Sequence, residues 1–212
     1  MVCLSDETCP FLTTEERKRG RRNYRKCPRC GLIFIAPEHR LGPGEEKARY
    51  DLHQNDPQDP GYVRFLSRLA VPLAERLKPA STGLDFGCGP GPALGKLLES
   101  RGHTVHNYDP FYFPDPSAFE RRYDFIVCTE VLEHLFSPRE VFMQFDSLLA
   151  GKGAVLGLMT GMLECESDFA DWWYRQDPTH VAFYRRTTFE WIAAWRNWNL
   201  EFPAANVVVY TV

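Results

Sequence analysis

The sequence predicts an α/β fold in which a mostly parallel sheet lies between two layers of helices. Three observations lead to this prediction. Short apolar runs alternate with amphipathic segments from residue 81 onward, a glycine-rich loop follows the first run, and an acidic residue, Asp109, ends the second. Alternating strands and helices form doubly wound sheets, whose ligands bind at the carboxyl ends of the strands.

The predicted elements of this core follow one another in chain order. We expect strands at 83–86, 104–108, 123–128 and 153–159, helices at 93–101, 138–149 and 187–198, and a terminal hairpin of 200–202 and 206–212. The run 123–128 is apolar almost throughout, which is typical of a strand buried on both faces. Only about a dozen residues, three of them prolines, separate Asp109 from Tyr123, so a helix and a third strand barely fit there.

Composition divides the chain into three regions and excludes several classes of protein. Residues 1–40 are rich in cysteine and arginine, 41–80 predict a helical cover, and 81–212 form the core. Hydrophobic residues make up 44% and the net charge is −3, so the whole surface does not predict a polyanion binder. Since the sequence lacks both a signal-peptide pattern and an apolar run of about 18 residues, we expect no membrane partner and a cytoplasmic protein with reduced thiols.

The loop after the first core strand carries Gly87, Gly89 and Gly91. Glycines at alternate positions let the backbone turn tightly and admit a ligand without a side-chain collision. The dinucleotide fingerprint needs its third glycine at position 92, where this chain has Pro92, so an NAD-dependent oxidoreductase is disfavoured. Asp109, 18 residues after Gly91, is placed to accept hydrogen bonds from ribose hydroxyls.

Together with Asp85 and Glu130, this loop resembles the cofactor site of class I S-adenosylmethionine-dependent methyltransferases. The resemblance covers residues 45–212 and implies a Rossmann-like sandwich with a sheet of the seven-stranded type, an N-terminal ribbon and a helical lid. It also implies methyl transfer from S-adenosylmethionine to an acceptor, a small-molecule hydroxyl or carbon. The residues that would hold the cofactor are Asp85, Gly87, Gly89, Gly91, Asp109, Glu130 and Val131.

Glu130, Glu133 and His134 follow the predicted strand 123–128 and bring two carboxylates and an imidazole to the start of a helix. In the family that the chain resembles, this stretch lies beside the cofactor. Its donors would suit Mg²⁺ or Mn²⁺. Some quinone-precursor O-methyltransferases and small-RNA 2′-O-methyltransferases use a similar motif in that way. The alternative is a structural Glu/His pair that shapes the pocket.

The candidates for chemistry at the acceptor are His180, His53, Glu133 and His134. His180 is the first candidate for a base, because apolar neighbours indicate a half-buried imidazole that could deprotonate a substrate near neutral pH. The alternative is a histidine whose hydrogen bond pins the loop. On a helix, Tyr50 and His53 would share one face, and the resemblance makes them lid residues.

Cys27 and Cys30, followed by Gly31, resemble one half of a zinc ribbon. Tetrahedral structural zinc needs four ligands, and the other nearby cysteines are Cys3 and Cys9. The sequence therefore predicts a structural zinc site of these four residues, with a ribbon that has lost its metal as the alternative.

Residues 17–29 hold eight basic side chains, which by default form a solvated hairpin. Clustered cations would also fit RNA or a phosphate-bearing substrate. Two alternatives to small-molecule methylation thus remain. One is an RNA-modifying methyltransferase, and the other is a non-catalytic cofactor-binding or zinc-ribbon interaction protein. The intact glycine loop disfavours the second, since a decayed enzyme would be free to lose those glycines.

Overall fold

The computed structural model describes residues 2–3, 7–17, 19–52 and 55–212. The strands in this part of the chain are β1 (Cys9–Glu16), β2 (Gly20–Lys26), β3 (Ile33–Ile35), β4 (Thr82–Phe86), β5 (Thr104–Tyr108), β6 (Phe125–Thr129), β7 (Val155–Met159), β8 (Ala182–Phe183), β9 (Asn199–Ala204) and β10 (Val207–Thr211). The α-helices are α1 (Pro43–Tyr50), α2 (Pro60–Ala74), α3 (Ala93–Glu99), α4 (Pro138–Leu148) and α5 (Arg186–Arg196).

Within the described residues, the central sheet has six strands in the order β5-β4-β6-β7-β10-β9. The first four are parallel, and β10 is antiparallel to both of its neighbours. This is the predicted Rossmann-like α/β fold with its mostly parallel sheet. Strand and helix positions agree with the sequence predictions to within a few residues, and the terminal hairpin is β9 and β10.

The sheet lacks the additional strand that a seven-stranded type would place beyond β5. Between β5 and β6, a fully described stretch, the chain forms a bridge between Asp109 and Phe113 and a 3-10 turn, Pro116–Phe119. Prolines cannot donate to a strand ladder, and this stretch carries Pro110, Pro114 and Pro116. Consequently β5 is an edge of the sheet.

Helices cover both faces of the sheet, and the strands alternate their side chains between them. Along β7, Leu156 and Leu158 belong to the core cluster that includes α4 and α5, whereas Val155 and Met159 belong to the cluster under α2 and α3. This alternation is the two-residue period of a strand buried on both sides. Gly157 lets α2 approach closely, since a Cβ there would lie 2.9 Å from a methyl carbon of Leu69.

A second, antiparallel sheet joins the N-terminal segment to the core. Its order is β1-β2-β3-β8, and β8 comes from the core region between β7 and α5. β8 was not predicted, because it is only two residues long. Arg175, from the segment before β8, pairs with Glu16 of β1 at 2.7 Å. The predicted division into 1–40, 41–80 and 81–212 stays a prediction.

The helical cover consists of α1 and α2. Asp59 starts α2, because its side chain accepts a hydrogen bond from the Gly61 N–H at 2.8 Å and Pro60 takes the first helical position. α1 ends at Tyr50. Among the described helices, none combines the length and the apolar character that crossing a bilayer requires.

Candidate functional site

A cavity of about 1070 Å³ opens at the carboxyl ends of β4, β5 and β6. The glycine loop and the segment after β5 contribute to its wall. The 3-10 turn Leu132–His134, the segment 173–180, α1 and the start of α2 contribute the rest. The cavity thus lies where doubly wound sheets bind ligands.

Because glycine has no side chain, the backbone of the glycine loop lines the cavity directly. Gly87 and Gly89 line the cavity in left-handed conformations, with φ of +77° and +65°. A Cβ at Gly87 would lie 2.4 Å from a methyl carbon of Val131, which also lines the cavity. Gly91 does not line it. A Cβ at Gly91 would lie 2.2 Å from the carbonyl oxygen of Asn55, so this glycine lets the segment after α1 close over the loop.

Asp109 holds two pieces of the cavity wall together. Its Oδ2 accepts a hydrogen bond from the Gly89 N–H at 3.0 Å. Its Oδ1 accepts from the N–H groups of Phe111 at 2.8 Å and Tyr112 at 3.1 Å. A carboxylate can accept about four hydrogen bonds, so one acceptor position remains on Oδ2. Asp109 therefore builds the loop and retains a lone pair for a ligand.

Asp85 lies in β4 behind the glycine loop and does not line the cavity. Its side chain is buried at 2% exposure. Burial raises the pKa of this carboxyl to about 7, although the backbone N–H of Gly95 partly offsets the effect. The predicted cofactor ligand is thus placed to support the loop from below.

Glu130 follows β6 in a left-handed conformation with φ of +50°, which is uncommon for a residue with a side chain. Its backbone N–H is held by the carbonyl of Met159 at 2.8 Å, and its Oε2 accepts a hydrogen bond from the Tyr174 hydroxyl at 3.3 Å. Burial and the neighbouring carboxylate of Glu133 raise the pKa of Glu130. Backbone strain of this kind is concentrated at functional sites.

Glu133 is fully buried, and its two carboxylate oxygens have different surroundings. Oε2 accepts a hydrogen bond from Thr160 at 2.8 Å. Oε1 is buried and has no hydrogen-bond partner among the described residues. The Thr160 hydroxyl also lies 3.1 Å from that of Tyr174. A buried polar oxygen without a partner is costly, so the side of Glu133 that carries Oε1 is the chemically incomplete part of this wall.

His134 and His180 lie beside Glu133, with their ring centroids 4.9 Å apart. We call Glu133, His134 and His180 the Glu/His cluster, since one donor atom from each lies within 4.8 Å of the others. The Nδ1 atoms lie 3.1 Å from the carbonyl of Thr179 for His134 and 2.6 Å from that of Tyr174 for His180. Because a carbonyl can only accept, each Nδ1 carries the proton. Burial lowers the pKa of His180 and favours its neutral form.

The last turn of α1 covers the Glu/His cluster. The ring of Tyr50 lies 5.2 Å from that of His134 and 5.7 Å from that of Phe111. Arg49, its neighbour, donates to Asp177 in the loop that leads to His180. The predicted partner of Tyr50, His53, lies outside the described residues.

A family profile described as "Methyltransferase domain" matches residues 54–201, which include the glycine loop and the Glu/His cluster. The chain belongs to this family. It is a methyltransferase, and its loop resemblance implies that S-adenosylmethionine is the methyl donor.

Solved structures share the fold of this methyltransferase at low sequence identity. 1,6-Didemethyltoxoflavin-N1-methyltransferase from Burkholderia thailandensis matches 90% of this chain and 94% of its own, with a TM-score of 0.54 and 14% identity. Magnesium protoporphyrin IX methyltransferase from Synechocystis matches 79% and 93%, with a TM-score of 0.53 and 14% identity. No curated protein sequence matches the chain significantly.

Three of the four cysteines predicted to bind zinc come together beside the N-terminal sheet of the methyltransferase. One donor atom each of Cys3, Cys27 and Cys30 lies within 4.8 Å of the others, and all three are buried. We call them the thiol cluster. Cys9 lies apart, because β1 places its side chain in solvent, where its sulfur is 3.5 Å from the carbonyl of Lys26.

Part of the basic segment 17–29 forms β2 of the predicted hairpin, and three of its cations have polar partners within the methyltransferase. Arg19 pairs with Glu16, Lys26 pairs with Glu166, and Arg25 donates to Thr8. Acidic partners therefore offset the charges of Arg19 and Lys26, which lowers the free positive charge of this segment by that amount.

Several cavity residues escaped the sequence analysis. These include large exposed apolar side chains. For one of them, Trp173, the sequence offered a signal, namely the aromatic run at 172–174. Of the five such side chains in the described part of the chain, three line the cavity: Leu52, Phe136 and Trp173. The sequence gives no sign that Thr160 contacts Glu133 or that Tyr174 contacts Glu130, because only folding brings these residues together.

Proposed function

We propose that this methyltransferase methylates a hydroxyl group of an apolar small molecule. One observation supports the proposal above all. A single cavity joins the glycine loop to the Glu/His cluster, so a cofactor at one end and an acceptor at the other would meet inside it. Its volume of about 1070 Å³ exceeds that of most single-ligand pockets, about 300–1,000 Å³.

The cofactor end would be built from the predicted residues in two roles. Asp109 would accept a hydrogen bond from the ribose through the remaining lone pair on Oδ2. The backbone of Gly87 and Gly89 would run along the cofactor, and that of Glu130 and Val131 would face its methionine portion. Asp85 and Gly91, which do not line the cavity, would shape the loop from outside.

The acceptor end would remove a proton during methyl transfer. The sulfonium of S-adenosylmethionine is already activated, so the enzyme must align the nucleophile and, for a hydroxyl, take its proton. We assign that role first to His180, whose Nε2 is unprotonated because Nδ1 donates to Tyr174. The acceptor oxygen would then bond to the methyl carbon as the carbon–sulfur bond breaks, leaving S-adenosylhomocysteine and a proton on the imidazole.

The exposed apolar side chains of the cavity support an apolar class of acceptor. Trp173 is 72% exposed and Leu52 is 67% exposed, and both line the cavity together with Phe136, which places apolar surface where an acceptor would bind. An apolar or aromatic acceptor would cover them. The two solved structures described above are named for methylation of small molecules, 1,6-didemethyltoxoflavin and magnesium protoporphyrin IX, which is consistent with such an acceptor.

The test combines cofactor binding with an acceptor screen. S-Adenosylhomocysteine titrated into the folded protein should bind, and phenolic or other apolar alcohols should be methylated when labelled S-adenosylmethionine is supplied. Trp173→Ala should raise the KM for such an acceptor roughly two- to tenfold, the equivalent of about 0.5–1.5 kcal/mol for an aromatic contact, and leave cofactor affinity unchanged. Met143→Ala is the matched control, because Met143 is also exposed but lies away from the cavity.

Three results would overturn this assignment. A folded protein that does not bind S-adenosylhomocysteine would favour the non-catalytic alternative. Turnover confined to nitrogen or carbon acceptors would remove the hydroxyl from the proposal, and turnover confined to RNA would restore the alternative based on residues 17–29.

We also propose that the thiol cluster binds zinc as a structural ion. Thiolates are the preferred ligands of structural zinc, and three buried sulfurs already lie together. The fourth ligand that tetrahedral zinc needs would come from outside the thiol cluster. Metal analysis of the purified protein should find zinc, which should be lost in Cys27→Ser. Cys9→Ser should retain it, because Cys9 lies apart from the thiol cluster. Equal zinc in wild type and Cys27→Ser would refute this site.

A further inference from the structure

The Glu/His cluster has a feature that the role of His180 as a base leaves unexplained. Glu133 Oε1 lies 3.9 Å from His134 Nε2, and it is the buried carboxylate oxygen that lacks a hydrogen-bond partner among the described residues. Glu133 is fully buried but belongs to the lining of the cavity, so a ligand inside the cavity is the group that could satisfy this oxygen. A carboxylate in this situation is most stable when a cation satisfies the free oxygen.

In His134 and in His180, the free lone pair of the imidazole lies on Nε2. Hydrogen bonds from Nδ1 to the carbonyls of Thr179 and Tyr174 fix the proton there, so Nε2 is an electron-pair donor in each ring. Histidines that bind metals in proteins have this arrangement, in which the second nitrogen donates to a carbonyl or carboxylate and fixes the tautomer. The backbone carbonyls therefore prepare both imidazoles for coordination.

We propose that Glu133, His134 and His180 bind a first-row divalent transition-metal ion, with Mn²⁺ as its probe. The three donor atoms lie within 4.8 Å of one another, so small movements would bring them to a common ion. Two imidazoles and one carboxylate favour a transition metal over Mg²⁺, which prefers oxygen ligands. Glu130 is not a ligand in this proposal, because it lies outside the group of donors and contacts Tyr174 instead.

All three ligands line the cavity, so an ion bound to them would have free coordination positions facing the acceptor. This inference rests on the proposed function and changes one of its steps. An acceptor hydroxyl bound to the ion would lose its proton to solvent, because a bound dication lowers the pKa of the oxygen it binds. The resulting oxygen would take the methyl group as the carbon–sulfur bond breaks, and His180 would serve as a ligand.

The experiment is a Mn²⁺ titration of the full-length protein, freed of metal with EDTA and followed by the loss of the free-ion electron paramagnetic resonance signal. One Mn²⁺ per chain should bind, and Mg²⁺ should compete only weakly. Glu133→Gln should weaken binding at least tenfold, as should His134→Gln and His180→Gln. Two matched controls should keep wild-type affinity: Glu130→Gln, from the same motif but outside the donors, and Cys27→Ser, from the thiol cluster.

Two outcomes would overturn the metal site. If the wild-type protein binds no Mn²⁺ at millimolar concentration, the proposed metal site does not exist. If Mn²⁺ binding survives each of the three ligand substitutions, the ion binds at another place in the protein. S-Adenosylhomocysteine is titrated into the same samples. If it binds while Mn²⁺ does not, the proposed function stands with His180 as the base. If it does not bind, the proposed function itself fails.

Discussion

Arg49 and Asp177 connect the helical cover to the loop that carries His180. Arg49 donates to Oδ2 of Asp177 from Nε at 3.1 Å and from Nη2 at 2.8 Å, across 128 positions of sequence. The other oxygen of Asp177 accepts from the backbone and side chain of Thr179. These hydrogen bonds outweigh the effect of burial and hold the pKa of Asp177 well below its usual range. One carboxylate thus fixes both the cover and the loop.

Removing this connection should loosen the cavity more than the fold. Arg49→Gln should weaken S-adenosylhomocysteine binding roughly two- to fivefold, since partly exposed ion pairs contribute about 0.2–1 kcal/mol. The measurement is a calorimetric titration. Lys47→Gln is the control on the same helix, because Lys47 pairs with the exposed Asp51. Equal affinities in both variants would show that the connection does not shape the binding site.

Asp109→Ala should weaken binding of S-adenosylhomocysteine by about 1.5–3 kcal/mol, the range for hydrogen bonds to a charged group. Because Asp109 also orders the glycine loop, Asp109→Asn is needed beside it. The asparagine side chain keeps one acceptor oxygen for the loop and loses the negative charge. In calorimetric titrations, the affinity of Asp109→Asn for S-adenosylhomocysteine should lie between those of the wild type and Asp109→Ala. Unchanged affinity in Asp109→Ala would mean that the ribose contact is wrongly assigned.

Gly87→Ala should destabilise the protein more than Gly102→Ala. Both glycines have positive φ, +77° and +88°, so each substitution incurs left-handed strain of about 1–2 kcal/mol. Only at Gly87 does the added methyl group also collide with Val131, since nothing lies within 4 Å of a Cβ at Gly102. Urea unfolding measures the difference. The double variant Gly87→Ala/Val131→Ala should recover part of the stability lost in Gly87→Ala. If it recovers none, the added methyl group does not collide with Val131.

Asp85→Asn should change how stability depends on pH. The pKa of Asp85 is raised to about 7 by burial, above its ordinary value of 3.8, so folding takes up a proton between these values. Stability of the wild type should therefore fall as pH rises through this window, by at most about 1.4 kcal/mol per pH unit from this group. In Asp85→Asn the side chain cannot ionise, so this proton uptake on folding and its contribution to the pH dependence of stability disappear.

Urea unfolding of both proteins at pH 5, 6, 7 and 8 provides the test. The free energy of unfolding of Asp85→Asn, relative to that of the wild type, should increase from pH 5 to pH 7 and then stay constant. A constant difference across the series would show that Asp85 ionises in the folded protein as readily as in the unfolded chain.

Much of the fold was predictable because its signals are local. Apolar runs of five or six residues separated by amphipathic segments predict the buried strands, and Gly87 and Gly89 need no partner to mark a tight turn. The cofactor loop was found for the same reason. β8 could not be predicted, since two residues carry no period and their pairing with β3 is set by tertiary contacts.

By itself, the sequence determined the α/β fold, the glycine loop after β4 and the residue types available for chemistry. Tertiary structure decided which of these residues act together. Glu133 and His134 are adjacent in sequence, but folding brings His180 to them and Thr160 to one oxygen of Glu133, leaving the other without a partner. It also separates Cys9 from Cys3, Cys27 and Cys30. The physical reason is that backbone conformation follows from local sterics and hydrophobic period, whereas the meeting of distant side chains depends on how the whole chain packs.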